Sequence, residues 1–172
     1  MKIEVIKFGG TSVADANKIK NVAKIINQKT KNKISVIVVV SAMGKSTNNL
    51  IDLAKEMSNE PNHREMDVLL STGEIVTSTL LSMHLNYTGT PAISLTGIQA
   101  GIRTDAVYGR AKIAEINGSR IREELKTKKV VVIAGFQGFS DQQDVTTLGR
   151  GGSDTTAVAL SVALKASICE IY

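Results

Sequence analysis

Two apolar segments constrain the fold of this chain more than any other feature. Residues 34–40, "ISVIVVV", and residues 130–136, "VVVIAGF", are apolar at nearly every position. Successive side chains of a β-strand point to opposite faces, so a strand with one wet face would alternate polar and apolar residues. A strand that is apolar on both faces needs cover on both sides, which is typical of a central parallel strand flanked by helices.

The remaining pattern alternates further strands with helices. Short apolar runs predict strands at 3–8, 91–95 and 167–172, and helical spacing predicts helices from Asp15, at 47–57, 64–86, 119–128 and 153–165. Gly73 weakens the third helix, and a turn-rich loop is predicted around 97–109. Strand–helix alternation predicts a right-handed, mainly parallel sheet in a three-layer αβα sandwich, an α/β fold, with residues 1–172 as one domain.

The charge of the chain does not indicate a nucleic-acid partner. The formal net charge is +5, and the basic residues concentrate in 17–33, a helical pattern followed by a turn. No aromatic residues interleave these lysines, so a solvated helix face is favoured over a nucleic-acid surface. An excess of positive charge also suits a protein that handles anionic small molecules.

Cysteine, histidine and hydropathy patterns exclude several other classes of protein. The single cysteine, Cys169, allows no intramolecular disulfide and is interpreted as a core residue. His63 and His84 stand apart from other ligand types, so no metal site is predicted on the protein. The N-terminus lacks an apolar leader, and no apolar run approaches the ~20 residues of a membrane span. A cytoplasmic protein without a membrane partner is expected.

The segment "KFGGTSV", residues 7–13, follows the first predicted strand and allows two interpretations. Backbone N–H groups and a helix N-terminus could hold a phosphate there, with Lys7 as a nearby point charge. Alternatively, the segment is a tight turn in which Ser12 caps the next helix. The spacing alone does not choose between them. Gly9, Gly10, Ser41 and the loop after Phe136 all follow predicted parallel strands, so they are expected at one edge of the sheet.

The segment "GRGGSD", residues 149–154, also fits an anion. Arg150 offers a planar fork to a carboxylate, and Gly151 and Gly152 let the backbone approach a ligand closely. Ser153 or Asp154 could instead cap the helix that follows. A cap explains neither the arginine nor the glycine pair, so anion binding is the favoured interpretation.

Two other segments look like nucleotide motifs, and one acid stands out. "MGKST", residues 43–47, resembles the end of a P-loop, but Val39 occupies the position that requires glycine. "GRGGSD" has Asp154 where a dinucleotide fingerprint has its last glycine. Glu74, in "STGEIVTS", lies within an apolar helix, and from the residues alone an exposed helix position is the favoured interpretation.

Taken together, these segments resemble the aspartokinases of the amino-acid kinase family. The resemblance covers nearly the whole chain in order, and its first and last motifs are highly specific. It rests on these stretches: "KFGGTSV" (7–13), "VVVSAMGKSTNNL" (38–50), "REMDVLLSTGE" (64–74), "SLTGIQAGI" (94–102) and "AGFQGFSDQQDVTTLGRGGSDTTAVALSVALKA" (134–166).

The resemblance implies ATP-dependent phosphorylation of the β-carboxylate of L-aspartate, the entry to lysine, threonine, methionine and diaminopimelate synthesis. It implies Lys7 as the catalytic lysine and Asp154 as the residue that orients it. Glu74 would pair with the substrate ammonium and Arg150 with the α-carboxylate. Mg²⁺ would be bound mainly through phosphates and water, and a carboxylate nucleophile needs no general base. The implied ATP contacts are Lys7, Phe8, Gly9, Gly10 and Ser41, and the implied substrate contacts are Thr47, Glu74, Arg150, Gly151, Gly152 and Ser153.

The chain departs from this family after Tyr172, where members continue with a turn of the Thr-Asp-Val-Asp-Gly type that forms part of the adenine and ribose pocket. The resemblance therefore predicts the N-terminal part of a catalytic domain, C-terminally truncated and without regulatory domains, which has little or no kinase activity alone. A homodimer or larger homo-oligomer is expected. Two alternatives stay open: another amino-acid kinase, acting on glutamate, acetylglutamate or a nucleoside monophosphate, and a non-catalytic assembly fragment.

Overall fold

The computed structural model describes residues 2–32 and 34–172, which form nine strands and five helices. The strands are β1 (Ile3–Phe8), β2 (Ser35–Val40), β3 (Ala92–Leu95), β4 (Ile102–Thr104), β5 (Ile113–Ile116), β6 (Val130–Ala134), β7 (Gln137–Phe139), β8 (Val145–Thr147) and β9 (Ile168–Ile171). The helices are α1 (Ala16–Thr30), α2 (Ser46–Met57), α3 (His63–Tyr87), α4 (Ser119–Lys126) and α5 (Gly152–Ala163).

The two apolar segments lie side by side in a five-stranded parallel sheet. Its strand order is β3-β6-β2-β1-β9, and each neighbouring pair is parallel. The register places Val38 beside Val132 on β6 and beside Ile6 on β1. The predicted central parallel strands are therefore confirmed.

Alternate residues of the central strands enter two separate cores. Val5, Ile37 and Val39 pack on one face with residues of α4 and α5, such as Ile121 and Leu160. The intervening side chains pack on the other face with residues of α1 and α3: Ile6, Phe8, Val36, Val38 and Val40. Each core buries aliphatic surface worth about 25 cal/mol per Å². The three-layer α/β sandwich predicted from the sequence is confirmed.

A second, four-stranded sheet in the order β5-β4-β7-β8 was not predicted. Its strands have three or four residues each, too short to show a period-2 pattern. The predicted loop at 97–109 contains β4, and the segment after Phe136 forms the antiparallel pair of β7 and β8. Two strand pairs of this sheet join nearby segments, whereas the pairing of Arg103 on β4 with Phe139 on β7 joins them into one sheet, and no local pattern records that contact.

Several predicted ends and caps were wrong. The strand predicted to Phe136 ends at Ala134, and Phe136 has a positive φ of 70°. Helix α1 is capped by Asp15, whose side chain accepts from the Lys18 N–H, and not by Ser12. Neither Ser153 nor Asp154 caps α5, because its N-cap is Gly151.

The interpretation of Cys169 as a core residue was also wrong. It lies on β9, the edge strand of the parallel sheet, and is exposed. An edge strand has a neighbour on one side only, so an apolar sequence does not guarantee burial there.

The basic segment is a solvated helix face over its described part, because Lys20 and Lys24 are exposed while Ile19, Val22 and Ile26 are buried. Its last residue, Lys33, lies outside the described residues.

Helix α3 has 25 residues and a mean hydropathy of 1.2 over its most apolar window, which is enough by length and composition to span a membrane. The sequence expectation that no stretch approaches this length is corrected on that point. Asp67 and Glu74, however, are buried within α3 against the rest of the protein. The helix packs against α1, α2 and strands of both sheets, as a core helix does.

Candidate active site

A pocket at the carboxyl edge of the parallel sheet collects residues from several separate parts of the chain. With the loop that enters α5 counted together with the start of that helix, there are six such parts: the end of β1, the segments after β2 and β6, helices α2 and α3, and the loop into α5. The lining residues are Lys7, Ser41, Thr47, Glu74, Phe136, Gly149, Arg150, Gly151, Gly152, Ser153 and Asp154. Nine of these belong to the predicted site, and they include all of the sequence-predicted catalytic and substrate residues, which therefore lie together.

An ion pair joins the two predicted catalytic residues across the pocket. The Lys7 Nζ lies 2.6 Å from the Asp154 Oδ1, with the lysine side chain 11% exposed and the aspartate side chain 49% exposed. The approach lacks the alignment of a hydrogen bond, so charge attraction holds the pair together. Asp154 lies in the first turn of α5, where the helix dipole favours a negative charge.

Glu74 lies at the back of the pocket and is only 4% exposed, which overturns its interpretation as an exposed helix position. Its Oε1 accepts from the Ala42 N–H at 3.1 Å. Its Oε2 is buried and has no hydrogen-bond partner among the described residues. Burial raises the pKa of Glu74 to about 7. A buried, unpaired carboxylate oxygen is costly, so a cation entering the pocket would relieve it.

Gly73 explains how Glu74 reaches the pocket. A Cβ built at Gly73 would lie 2.8 Å from the Ala42 Cβ, closer than carbon atoms approach. The glycine therefore lets α3 pack directly on the segment after β2, which places the Glu74 carboxylate beside the Ala42 N–H. The sequence showed this glycine only as a weak point in a helix.

The glycines of the 149–154 segment serve close contacts and a turn. Gly151 has a φ of 76°, the left-handed region that glycine favours. A Cβ at Gly152 would lie 2.8 Å from the Phe136 ring. Arg150, directly before these two glycines, is exposed and lines the pocket. The bare backbone therefore lets the arginine loop fold over Phe136.

The residues of the predicted ATP group divide between two places. Lys7 and Ser41 line the pocket, whereas the Phe8 ring is buried and stacks on Tyr172 with centroids 5.1 Å apart. The Gly9 N–H donates to the Tyr172 carbonyl at 2.9 Å. Gly10 accepts from the Gly44 N–H. Three of the five residues thus lie beside the pocket and not on its wall.

Sequence reasoning missed three residues that shape the site. Phe136 and Gly149 line the pocket, and Asp67 is 1% exposed beneath the arginine loop. No sequence pattern indicated that Phe136 would line the pocket, because its orientation depends on a backbone turn into β7 that gives it a positive φ. Asp67 stood within the quoted "REMDVLLSTGE", where a buried acid inside an apolar helix was the available signal.

The described residues contain no group of three or more histidine, cysteine, aspartate or glutamate side chains that could hold a metal ion. The charged groups of the pocket are two cations and two acids, a set suited to binding a molecule that carries both charges.

Known proteins match this chain over nearly all of its length. A model of the amino acid kinase family matches residues 2–172. The aspartokinase of Bacillus sp. strain MGA3 and aspartokinase 2 of Bacillus subtilis strain 168 are each 56% identical to it, over 100% of this chain and 42% of their own length. The chain thus spans less than half of these curated relatives.

Solved structures agree with that comparison. An aspartate kinase from Synechocystis has a TM-score of 0.86 at 50% identity, covering 99% of this chain and 28% of its own. E. coli aspartokinase III, solved in complex with aspartate and ADP, has a TM-score of 0.88 at 27% identity, covering 99% of this chain and 49% of its own.

Proposed function

The chain belongs to the amino acid kinase family, and on that premise we propose that it carries the aspartate-binding half of an aspartokinase active site. The reaction is transfer of the γ-phosphoryl group of ATP to the β-carboxylate of L-aspartate. The observation that carries the proposal is the pocket that joins Lys7, Glu74, Arg150 and Asp154.

The charges of L-aspartate match those of the pocket group by group. Its ammonium pairs with the free Oε2 of Glu74, which has no other partner among the described residues. Its α-carboxylate takes the planar fork of Arg150. The β-carboxylate is then directed towards the Lys7 end of the pocket. Glutamate has one more methylene group, so its side-chain carboxylate would not fit at the same distance from Lys7 while its ammonium and α-carboxylate keep their contacts.

Phosphoryl transfer asks the protein for alignment and charge compensation more than for covalent chemistry. A β-carboxylate oxygen attacks the γ-phosphorus, the bond from that phosphorus to the β–γ bridging oxygen breaks, and ADP leaves with the electron pair. The Lys7 ammonium offsets negative charge on the transferring group, and Asp154 at 2.6 Å holds it in place. The nucleophile is already ionised near neutral pH, so no proton needs to be removed.

The ATP phosphates are assigned to the turn after β1, next to Lys7. Among the described residues, the Gly10 and Thr11 N–H groups donate to no backbone carbonyl, so they are available to an anion, whereas Gly9 is engaged by Tyr172. The assigned ATP contacts remain Lys7, Phe8, Gly9, Gly10 and Ser41, with Phe8 and Gly9 acting through the backbone shape of the turn. Mg²⁺ would be held mainly by the phosphates and water and would supply charge neutralisation there.

The wider setting of this reaction is also part of the proposal. Aspartokinases of more than twice this length match the chain, so residues beyond this stretch are proposed to supply the adenosine pocket and the regulatory domains. The proposed role is the entry step to lysine, threonine, methionine and diaminopimelate synthesis, in the cytoplasm, by a homodimer or larger homo-oligomer.

The test is a hydroxylamine-trapping assay on the full-length gene product with ATP, Mg²⁺ and either L-aspartate or L-glutamate. The proposal expects hydroxamate from aspartate and at least about ten-fold less from glutamate. Arg150→Ala should reduce product from aspartate by about a hundred-fold, the loss of a charge-assisted bidentate contact. Equal turnover of the two amino acids, or full activity of the variant, would refute the assignment.

A further inference from the structure

Asp67 is a buried acid outside the pocket, and both of its carboxylate oxygens accept hydrogen bonds. It is 1% exposed and lies two helical turns before Glu74 on α3. Its carboxylate accepts from the Gly109 N–H at 2.9 and 3.0 Å, from the Thr147 N–H at 2.7 Å and from the Thr147 hydroxyl at 2.8 Å. Four donor contacts on one carboxylate leave it well compensated in spite of its burial.

These donors belong to two segments next to Gly149: the turn at Gly109 and the end of β8 at Thr147. Thr147 ends β8 and is three residues before Arg150. Its carbonyl accepts from the Ala111 N–H at 2.8 Å, so its backbone is fixed on both sides. A Cβ at Gly149 would lie 3.1 Å from the Gly109 carbonyl oxygen, so these two glycines are in close contact. The Asp67 carboxylate therefore fixes the base from which the arginine loop rises.

The same face of α3 holds the rest of the small sheet. Residues 64, 67, 71 and 74 are spaced by three, four and three, which puts them on one side of a helix. Arg64 donates to Asp144 before β8, and the Ser71 carbonyl accepts from the Gln137 side chain on β7 at 2.9 Å. Glu74 then enters the pocket. One helix face thus carries both Glu74 and Asp67, whose contacts support the base of the loop that bears Arg150.

We infer that Asp67 is a positioning residue for substrate recognition, which sets the Arg150 loop at the correct distance from Glu74. It contacts no substrate itself. The substrate α-carboxylate and ammonium are attached to one carbon, so Arg150 and Glu74 must keep a fixed separation to bind both. Asp67 and Glu74 share a rigid helix, and Asp67 transmits its position to Arg150 through Thr147. This inference rests on the proposed function.

Asparagine cannot replace Asp67 in this arrangement. In either orientation its amide nitrogen would lie against the Gly109 N–H, which contacts both oxygens of Asp67, although the Thr147 hydroxyl could rotate to accept from it. Asp67→Asn should therefore release one of the two segments. Thr147→Val removes only the hydroxyl contact, and Thr147→Ser retains it. Arg64→Gln is the matched control, since it removes an exposed contact from the same helix face.

The experiment is an NMR titration of the ¹⁵N-labelled 172-residue chain with L-aspartate and with 3-aminopropanoate, which lacks the α-carboxylate. We expect Asp67→Asn to weaken aspartate binding about ten-fold while 3-aminopropanoate changes less than about two-fold. Thr147→Val should show a smaller selective loss, and Thr147→Ser and Arg64→Gln should bind like the unmodified chain. The double variant Asp67→Asn/Arg150→Ala should bind no more weakly than Arg150→Ala.

The outcomes separate this inference from the proposed function. Equal losses for both ligands, or additive losses in the double variant, would overturn the positioning role while leaving the function intact. Failure of the unmodified chain to bind aspartate would overturn the proposed function, and the role of Asp67 with it. If Asp67→Asn does not fold, the comparison of Thr147→Val with Thr147→Ser decides the question on the same two ligands.

Discussion

At the scale of single residues, the binding properties of the pocket depend on which charged side chains already have a partner within the protein and which do not. Lys7 and Asp154 compensate one another at 2.6 Å. Asp67 has all its contacts within the protein, whereas the buried Oε2 of Glu74 has none among the described residues. Arg150 is exposed beside them. Within the described part of the chain, the pocket therefore presents one acid with an unpaired oxygen and one cation without an ion-pair partner, the pair that an α-amino acid requires.

Glu74 should make aspartate binding depend on pH near neutrality. Burial raises its pKa to about 7 in the free protein, and only its ionised form pairs with the substrate ammonium. Below that pKa, binding must first remove a proton, so affinity falls as pH falls, by at most about ten-fold per pH unit. NMR titrations at about pH 6 and about pH 8 should therefore differ several-fold, with tighter binding at the higher pH.

Two variants isolate the contribution of Glu74 to that dependence. Glu74→Gln cannot ionise, so it should bind aspartate weakly and equally at both pH values. Glu65→Gln, an exposed acid on the same helix, should retain the dependence of the unmodified chain. The other charged groups lining the pocket, Lys7, Arg150 and Asp154, are unchanged in both variants. Equal affinity of the unmodified chain at both pH values would contradict the assignment of Glu74 to the ammonium.

At the scale of elements, the close packing of α3 on the segment after β2 connects stability to the site. Gly73→Ala would bring a Cβ to within 2.8 Å of the Ala42 Cβ. Overpacking costs about 1–3 kcal/mol, more than the up to ~1 kcal/mol that alanine gains over glycine in a helix. We expect a lower free energy of unfolding in urea, and weaker aspartate binding because the Ala42–Glu74 hydrogen bond shifts.

Thr72→Ala is the control for this variant, because Thr72 is the exposed neighbour of Gly73 on the same helix. It should change the free energy of unfolding by less than about 0.5 kcal/mol. A Gly73→Ala chain as stable as the unmodified one would show that α3 can move away from Ala42 without cost.

The edge strand β9 gives a second prediction at this scale. Cys169 is exposed on it, so a thiol reagent such as dithionitrobenzoate should modify the folded chain within seconds to minutes, as fast as it modifies the urea-unfolded chain to within about ten-fold. A buried thiol would react only after unfolding. Protection of Cys169 by several orders of magnitude would contradict the exposed edge.

The elements that the sequence predicted are those with a strong local pattern. β2 and β6 are apolar on both faces, and the helices carry buried residues at helical spacing, as Ile19, Val22 and Ile26 do on α1. The small sheet lacked such a pattern because its strands have only three or four residues each, and its two antiparallel pairs are joined by a contact between distant segments, Arg103 beside Phe139. Burial of Glu74 and exposure of Cys169 were missed for the same reason, since both depend on which elements surround them.

At the scale of the whole molecule, the predicted site residues come together because the parallel sheet collects strand ends. Lys7 and Ser41 follow directly from the strand order, in which β1 and β2 are neighbours. Arg150 and Asp154 reach the same edge through β7, β8 and α5, elements whose arrangement the sequence did not reveal. The resemblance named these residues together, and the topology provides the physical reason for their proximity.

The division of the active site between this chain and the rest of its longer relatives leads to the last prediction. The groups proposed to bind aspartate all line one pocket here, whereas the turn proposed for ATP offers only phosphate contacts, through Lys7 and the Gly10 and Thr11 N–H groups. Contacts to the phosphates alone give weak nucleotide binding without the surface that holds the base and ribose. We therefore expect the 172-residue chain to bind aspartate in NMR titrations and to form almost no hydroxamate with ATP. The full-length product should do both, and Arg150→Ala should weaken aspartate binding in both proteins by about a hundred-fold. Turnover by the short chain at the full-length rate would show instead that the nucleotide site is already complete within these residues.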